Sequence, residues 1–596
     1  MSGAGSDVLL LRPPVKEFLP PPRHSMGGSS RSYPIGLAYL AAALRGNGIS
    51  AEILDAWARP SVEKAAPPRE LGYLRGLSDL RDCSGPAEFY HQGMPDADIR
   101  DFLASRRFSI VGISSMFSGY HLEALRWADE AKRLMPGATV VLGGAAATAS
   151  AELTLDRPSV DYVVLGEGEV SFSRLARAVL DSDVRAARSI PGVGFKVDGK
   201  ARVRPREEFV PDLDALPEPA HDLIDKSFYR VAVGPRLVPY VGLFTSRGCP
   251  HRCDFCTIYI SMGRRFRVHS PERVLAEIRR CHDRDGARLF NIEDDNFAFE
   301  PERAKAILRS VIREFGPRRL IFRNYNGMTA LSLRDRELVS LMSEAGFDHV
   351  MIALESDDPE VRRIMRKPGT VGHFSAAAAA CEKAGIKVGA FTIIGLPYSD
   401  VETDVGAQLF CLTQPMRQVD PVMYYPIPTT PQYDHCVRRG WVRPEPRFLP
   451  RLRAAAFAAA RPGYTRRDGF TLLGLAKLFG GFKASARRLV PEGGRVSFRE
   501  ILDDRGKTRP FRVRERPRDE FLLDARERLE DRDILCAQVD LLVKRGLLTR
   551  VSGRTAAAAE LKAVMASKRV LRLFLEGLPS HPLRYASGEE ISWDRA

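Results

Sequence analysis

Two successive runs of alternating strand and helix patterns constrain the fold of this 596-residue chain more than any other feature. In each run, short apolar segments that end in small or polar residues are followed by amphipathic segments of helical period. Strands joined through helices pair in parallel, and the helices cover the faces of the sheet. The sequence therefore predicts an α/β protein with two parallel sheets, within residues 1–186 and 241–430.

The first run predicts a doubly wound, Rossmann-like sheet with strands at 7–14, 50–56, 108–116, 138–144 and 161–169. Such sheets bind ligands outside the carboxyl ends of their strands. Small residues there would let a large flat ligand approach the backbone, although glycines in these loops can also serve only to make tight turns. We expect ligand contacts from residues at these ends: Pro13, Ser114, Ser115, Met116, Gly143, Gly144, Ala145, Gly166, Glu167 and Gly168.

The second run predicts strands at 242–248, 288–296, 319–327, 349–356, 387–395 and 421–430. Six parallel units are too few to close an eight-stranded barrel, so we expect an open (β/α)6 partial TIM barrel. Its site should face the carboxyl ends of the strands. Residues 187–240 are typical of a hairpin followed by a linker, and residues 431–596 predict a mainly helical C-terminal region.

Three cysteines, Cys249, Cys253 and Cys256, follow the first predicted barrel strand with the spacing Cys-x3-Cys-x2-Cys. A structural zinc site usually takes four protein ligands, and a two-cluster ferredoxin needs more cysteines in a repeated spacing. Three thiolates can hold three irons of a four-iron cluster and leave the fourth iron open. An open position is typical of a catalytic metal site.

This cysteine motif, placed after the first strand of a six-unit barrel, resembles that of the radical S-adenosylmethionine (SAM) superfamily. The resemblance implies that the open iron binds the amino and carboxylate groups of SAM. It also implies cofactor contacts from the following residues, each of which could otherwise be an ordinary strand-end residue: Phe255, Asp294, Asp295, Asn324, Glu355, Ser356 and Gly395. The segment from Gly395 reads Gly-Leu-Pro-Tyr-Ser-Asp where the cobalamin-using branch often has Gly-Leu-Pro-Gly-Glu-Thr.

The first sheet resembles the cobalamin-binding domain that precedes the barrel in that branch, as the segments VVLGGAAAT (140–148) and DYVVLGEGE (161–169) indicate. Many cobalamin domains carry Asp-x-His-x-x-Gly after their first strand, with the histidine bound to cobalt. Here His24 lies in that loop but outside such a motif. We therefore expect cobalamin without a protein histidine ligand, and Arg69 is a candidate for the lower face.

A 4Fe-4S cluster, SAM and cobalamin together imply methyl transfer from SAM through cobalamin to a carbon atom. The chain resembles the tryptophan 2-C-methyltransferases of thiopeptide antibiotic biosynthesis, which implies a small-molecule substrate, tryptophan, methylated at an sp2 carbon. That reaction needs a base, for which Tyr325, Tyr424 and Tyr425 are candidates, although they could merely line the pocket. The alternative is radical methylation of an sp3 carbon in a natural-product intermediate or peptide.

Glu272, in the first turn of a predicted helix, has two interpretations. It either stabilises the positive end of that helix or places a carboxylate near the open iron, where it would hinder SAM. A methylthiotransferase would need a second cysteine triplet in the first domain, which has only Cys83. A cobalamin-binding sensor with a structural cluster would bind cobalamin without transferring methyl.

The composition excludes some partners. The formal net charge is +15, but the arginines are spread along the chain rather than clustered with stacking aromatics, so we expect no nucleic-acid binding. No apolar stretch approaches the roughly 20 residues needed to span a bilayer, and the first residues do not resemble a leader. We expect a cytoplasmic enzyme that receives electrons from a ferredoxin or flavodoxin.

Overall fold

The computed structural model describes residues 6–19, 32–59, 61–66, 88–207, 209–233, 236–416 and 418–442, and short stretches between 461 and 593. The strands are β1 (Val8–Arg12), β2 (Val15–Leu19), β3 (Ala51–Asp55), β4 (Val62–Lys64), β5 (Glu88–Gln92), β6 (Ile110–Ser114), β7 (Thr139–Gly143), β8 (Tyr162–Val164), β9 (Val193–Val197), β10 (Lys200–Val203), β11 (Arg230–Val233), β12 (Arg236–Leu243), β13 (Ser246–Arg247), β14 (Arg267–Val268), β15 (Leu289–Ile292), β16 (Ile321–Met328), β17 (Phe347–Glu355), β18 (Lys387–Ile394), β19 (Gln418–Met423), β20 (Arg495–Val496), β21 (Phe511–Arg512), β22 (Glu520–Phe521), β23 (Leu583–Arg584) and β24 (Glu590–Trp593).

The α-helices are α1 (Ile35–Gly46), α2 (Asp96–Ala104), α3 (His121–Leu134), α4 (Ala145–Ala149), α5 (Ala151–Leu155), α6 (Glu169–Leu180), α7 (Val184–Ser189), α8 (Ile258–Ser261), α9 (Pro271–Asp285), α10 (Pro301–Phe315), α11 (Arg336–Ala345), α12 (Pro359–Ile364), α13 (Val371–Lys383), α14 (Val401–Thr413), α15 (Pro431–Arg438) and α16 (Lys568–Gly577). None of these described helices has the length and apolar character needed to cross a bilayer.

The first sheet has the strand order β10-β9-β8-β7-β6-β1-β3, in which β3, β1, β6, β7 and β8 run parallel. Alternate residues of β1 are buried on opposite faces: Leu9 packs in one hydrophobic cluster with Trp127, and Leu10 in another with Phe172. Helices therefore cover both faces, which confirms the predicted doubly wound sheet. The predicted hairpin, β9–β10, is joined to this sheet because β9 pairs antiparallel with β8.

A small antiparallel sheet, β2-β5-β4, was not expected from the sequence. Its strands come from the segments after β1 and β3, where the sequence analysis predicts only connecting loops. Residue Lys16 on β2 contacts Asp96 at 3.0 Å, which ties the small sheet to α2. His24, Arg69 and Cys83 lie outside the described residues, so the predictions for them stay predictions.

The second sheet has the order β11-β12-β15-β16-β17-β18-β19. Six strands of this sheet are parallel and follow chain order: β12, β15, β16, β17, β18 and β19. Strand β11 adds an antiparallel edge. Phe290, Phe322 and Phe347 stack across three of the strands, with ring centres 5.7 and 5.5 Å apart. The predicted open six-unit barrel is thereby confirmed.

Helix α1 packs against both units. Its Tyr39 hydroxyl lies 3.1 Å from His269 Nε2 in the barrel unit, and Tyr33 just before α1 lies 2.8 Å from His221 Nδ1. The hydrophobic core of the barrel also includes Ile35 and Ala38. Most of the region predicted to be mainly helical lies outside the described residues, and its described stretches include both α16 and the short strands β20–β24.

Candidate functional site

A cavity of about 580 Å³ lies between the carboxyl ends of the first sheet and the loop that follows β13. Its first wall contains every described residue that the sequence analysis expects at these strand ends: Pro13, Ser114, Ser115, Met116, Gly143, Gly144, Ala145, Gly166, Glu167 and Gly168. Met116 and Phe117 are 49% and 42% exposed, so apolar side chains face open space there. The structure thus brings these residues together around a space for a large ligand.

One glycine of this wall is required by its geometry. Gly144 has φ +103°, and a Cβ at this position would lie 2.7 Å from the carbonyl oxygen of Ser115. The turn therefore brings the backbone after β7 against the backbone after β6, closer than any side chain would allow.

The second wall is formed by the cysteine loop, from which Cys256, Thr257, Ile258, Ser261 and Met262 line the cavity. Gly248 opens this loop with φ +85°, and a Cβ there would lie 2.4 Å from the carbonyl oxygen of Arg265. Only glycine fits this turn, which directs the chain from the barrel strand into the cysteine motif.

The three cysteine thiols are half-buried and free of disulfides. Burial raises the pKa of all three, and that of Cys256 to about 12, with the neighbouring thiols adding to the effect. Thiolates in this loop therefore need a bound cation to stabilise them. No three His, Cys, Asp or Glu side chains of the described part of the chain converge on a single-ion site. A cluster does not require such convergence, because each cysteine binds a different iron.

The acidic segment after β15 places its three carboxylates differently. Asp294 is fully buried and accepts hydrogen bonds from Thr245 N at 2.6 Å and Ser246 Oγ at 2.6 Å. Asp295 and Glu293 line the cavity, and burial raises the pKa of each to about 7. The geometry favours Asp295 over Asp294 as a ligand contact, because the carboxylate of Asp294 is used to hold the strand before the cysteine loop.

On β16, Asn324 is fully buried and used internally: its Nδ2 donates to the Ile292 carbonyl at 2.9 Å, and its Oδ1 accepts from Gly327 N at 3.0 Å. Direct contact with a cofactor, as the sequence analysis expects, does not fit this position. Asn326, which the sequence analysis missed, lines the cavity instead. The register between β16 and β17 shifts after Asn324, which explains why strand alternation did not indicate Asn326.

The end of β17 lies beside the cysteine loop. Glu355 pairs with Lys367 Nζ at 2.9 Å, and the same Nζ lies 5.8 Å from the ring centre of Phe255. Glu355 has φ +67°, a left-handed conformation that is costly for a residue with a side chain and is often found at functional sites. Ser356 is 1% exposed and accepts from Asp358 N at 3.2 Å, so its hydroxyl caps the next turn.

Gly395 ends β18 with φ +81°, and its N donates to Asp404 Oδ2 at 2.6 Å. Arg461 donates to the Leu396 carbonyl at 2.7 Å and to that of Gly395 at 3.4 Å. A residue of the C-terminal region therefore holds the loop in which the resemblance implies a cofactor contact from Gly395. No sequence pattern indicates this contact, because Arg461 is distant in the chain and lies outside any motif.

None of the three candidate bases lines the cavity. Tyr424 is 3% exposed and packs with Phe255, and burial raises its pKa far above the usual value, so it does not fit the role of a base. Tyr425 is partly buried at the end of β19. Tyr325 is 38% exposed. Burial raises its pKa, and a side-chain hydrogen bond from Arg323 partly offsets that rise. Of the three, Tyr325 is the most exposed, although it does not line the cavity.

A buried group of ions, which no sequence pattern predicts, joins the two walls. Arg247 lies 2.7 Å from Glu169 Oε1 and 3.3 Å from Glu167 Oε1, while Arg267 lies 2.9 Å from Glu167. The side chains are at most 6% exposed. Glu272, by contrast, is exposed at the N-terminus of α9 and does not line the cavity, which agrees with its helix-stabilising interpretation.

Comparisons with known proteins agree with this arrangement. Residues 243–405 match the family model of the radical SAM superfamily, and residues 81–176 match that of the B12 binding domain. The cytidylyl-2-hydroxyethylphosphonate methyltransferase of Streptomyces wedmorensis is 31% identical over 429 residues, which cover 65% of this chain and 73% of that protein. The chain belongs to the cobalamin-dependent radical SAM methyltransferases.

Two solved structures share the fold. The methyltransferase TsrM from Kitasatospora setae, with tryptophan and a SAM analogue bound, aligns with a TM-score of 0.53 at 19% identity over 72% of this chain and 76% of TsrM. The cobalamin-dependent SAM radical enzyme OxsB aligns with a TM-score of 0.57 at 14% identity over 96% of this chain and 78% of OxsB.

The cofactors of the family are a 4Fe-4S cluster, SAM and cobalamin, and the residues present fit them. Three thiols on one loop supply a donor set for the cluster, with Asp295 beside them. Small residues and apolar side chains around the first sheet leave room for a large ring, with Cys256 in the opposite wall. The protein is a methyltransferase, and one cavity is lined by both Cys256 and the strand ends of the first sheet.

Proposed function

We propose that the methyl acceptor is an sp2 carbon of a small molecule, with C2 of tryptophan as the first candidate. The observation that carries the proposal is the shared cavity, because it brings Cys256 and the strand ends of the first sheet to one space. When bound, cobalamin carries the methyl group that SAM supplies. The tryptophan-bound structure of the same fold supports the choice of tryptophan as the first substrate to test.

The chain's own residues would act by binding and by moving a proton. Cys249, Cys253 and Cys256 would hold the cluster, and the strand ends of the first sheet would bind cobalamin without a protein histidine ligand. Methylation of an aromatic carbon releases a proton from that carbon, so a base must accept it. Tyr325 is our candidate, because it is the most exposed of the three tyrosines and Arg323 partly offsets the rise that burial causes in its pKa.

A second candidate function is methylation of an sp3 carbon, and a specific observation favours it. The phosphonate methyltransferase at 31% identity acts on a compound whose hydroxyethyl carbons are sp3, and it is nearer in sequence than TsrM at 19%. The exposed position of Glu272 also leaves the cysteine loop without a nearby blocking carboxylate from that helix. An sp3 acceptor requires removal of a hydrogen atom rather than a proton.

The test is incubation of the reconstituted protein with methyl-deuterated SAM, a reductant and tryptophan, followed by mass spectrometry. We expect 2-methyltryptophan that carries the deuterated methyl group, without 5′-deoxyadenosine in step with it. Cys256→Ala is the inactive control. Absence of methylated tryptophan would remove the first candidate. In a parallel incubation with cytidylyl-2-hydroxyethylphosphonate, 5′-deoxyadenosine formed in step with methylated product would establish the second.

A ferredoxin or flavodoxin as electron donor and a cytoplasmic location remain predictions from the sequence. Purified ferredoxin and flavodoxin in place of the chemical reductant would test the donor directly. If neither protein supports turnover under conditions in which the chemical reductant does, that prediction is contradicted.

A further inference from the structure

Ser115 follows the central strand of the parallel part of the first sheet, since β6 lies between β7 and β1. It lines the cavity and is 3% exposed. Its backbone is fixed on both sides: Ser115 N donates to the Gly143 carbonyl at 2.7 Å, and Ala146 N donates to the Ser115 carbonyl at 3.0 Å. These bonds fix the Ser115 backbone at the cavity wall, and the direction of its side chain and hydroxyl proton depends on the partners of Oγ.

A chain of buried hydrogen bonds leads away from that hydroxyl. Ser115 Oγ lies 2.6 Å from His121 Nδ1, and His121 Nε2 lies 3.0 Å from Thr154 Oγ1. Thr154 Oγ1 in turn donates to the Ser150 carbonyl at 2.7 Å. His121 and Thr154 are 1% and 0% exposed. Two helices supply members of this hydrogen-bond chain, because His121 begins α3 and Thr154 lies in α5.

The proton positions along this chain follow from the number of protons. A hydroxyl has one proton, and Thr154 gives its proton to the Ser150 carbonyl, so Thr154 Oγ1 must accept from His121 Nε2–H. Burial lowers the pKa of His121 to about 4, so the ring is neutral near pH 7 and carries a single N–H. Nδ1 is then an acceptor, and the Ser115 hydroxyl donates its proton to it.

With its proton committed to His121, Ser115 Oγ has only lone pairs left for the cavity. We propose that His121 and Thr154 are positioning residues that make Ser115 a hydrogen-bond acceptor for a donor group of bound cobalamin. The donor is an N–H of a corrinoid carboxamide or the O–H of a water bound to cobalt. The opposite tautomer of His121 would turn Ser115 into a donor and leave a group of this kind without its acceptor.

This inference rests on cobalamin occupying the cavity, as proposed above. The alternative is that the three side chains only satisfy each other inside the protein. The two interpretations differ in what Thr154 does to the affinity for cobalamin. In the positioning role, Thr154 affects cobalamin binding only through Ser115. In a purely structural role, loss of Thr154 lowers the stability of the protein and leaves the effect of Ser115→Ala on cobalamin affinity unchanged.

The experiment compares Thr154→Val with Thr154→Ser in the full-length apoprotein, and measures the dissociation constant for cobalamin by absorbance titration. Valine keeps the shape but removes the acceptor, and serine retains the acceptor as a matched control. We expect Thr154→Val and Ser115→Ala each to weaken binding by about three- to tenfold, the range of one net hydrogen bond, and Thr154→Ser to bind as the wild type does. The double variant Thr154→Val/Ser115→Ala should bind no more weakly than Ser115→Ala alone.

Electron paramagnetic resonance of bound cob(II)alamin separates the two sources of the donor. A changed spectrum in both Ser115→Ala and Thr154→Val supports a cobalt-bound water, and an unchanged spectrum with weakened binding supports a carboxamide. Equal affinity of Thr154→Val and Thr154→Ser, or losses that add in the double variant, would overturn the proposal. If Thr154→Val does not fold, unchanged affinity in Ser115→Ala overturns it equally. Binding by the wild type tests the occupancy of the cavity separately.

Discussion

Replacement of Arg247 by methionine tests whether the buried ions hold the cysteine loop against the first sheet. Arg247 is 2% exposed and pairs with Glu169, whose other oxygen, Oε2, has no hydrogen-bond partner among the described residues. Burial acts to raise the pKa of Glu169, but Arg247, together with a backbone hydrogen bond and Arg206, outweighs it, so the pKa is held below the usual value. Without Arg247, the carboxylate of Glu169 is buried without a direct cationic partner.

The magnitude follows from this burial. Removing one partner of a buried ion pair costs about 3–5 kcal/mol, because the remaining charge is not compensated. Arg267 still compensates the charge of Glu167, so only Glu169 is left without a direct partner. The loss in the free energy of unfolding should therefore lie near the lower end of that range. For a unit of 150–250 residues, about 3 kcal/mol lowers the unfolding midpoint by roughly 6–12 °C.

The assay is differential scanning calorimetry of the first unfolding transition, at two pH values. In Arg247→Met the folded-state pKa of Glu169 rises above its unfolded value, so the loss grows with pH above about 4.5. The unfolding midpoint of the variant should therefore lie further below that of the wild type at pH 8 than at pH 5. Arg279→Met is the matched control, because Arg279 pairs with Glu314 on the surface. An equal shift in both variants would refute the reasoning.

Three further predictions concern single side chains. Cys256→Ala should lose bound iron and sulfide by chemical analysis, whereas Cys381→Ala, which removes a buried thiol of α13, should retain them. Iron retained in Cys256→Ala would contradict the assignment. Burial raises the pKa of Glu293 to about 7, so ionisation of Glu293 destabilises the folded state increasingly between about pH 4.5 and pH 7. Glu293→Gln should therefore raise the thermal unfolding midpoint of the apoprotein more at pH 8 than at pH 5. Equal changes in the midpoint at the two pH values would contradict this prediction. With tryptophan as substrate, Tyr325→Phe should lower kcat by about 10²–10⁴-fold and Tyr424→Phe should change it little, so equal effects would remove Tyr325 as the base.

The sequence was informative where a physical requirement acts over a few neighbouring residues. Apolar strands followed by small residues predicted both sheets and ten residues of the cavity wall, because strand carboxyl ends of one sheet necessarily meet at one edge. The cysteine spacing likewise indicated one loop. Such patterns do not depend on how the two units pack together.

The missed features depend on contacts between distant parts of the chain. Asp294 and Asp295 are adjacent and chemically alike, and only the position of Thr245 shows that Asp294 is used inside the protein. Arg247 reaches Glu169, which is 78 residues earlier. Tyr424 looked like a strand-end base, but packing against Phe255 buries it. Tertiary packing decides such cases, and no periodicity in the sequence reports it.

The position of Cys256 in the cavity wall has a consequence for oxidative damage. Cysteine thiolates that are accessible are the ones most readily oxidised, and Cys256 is only half-buried. Whatever fills the cavity covers this cysteine, so the lifetime of the cluster in air should depend on cobalamin occupancy. Cells starved of cobalamin would then lose the cluster as well, and the enzyme would fail at two cofactors from the shortage of one.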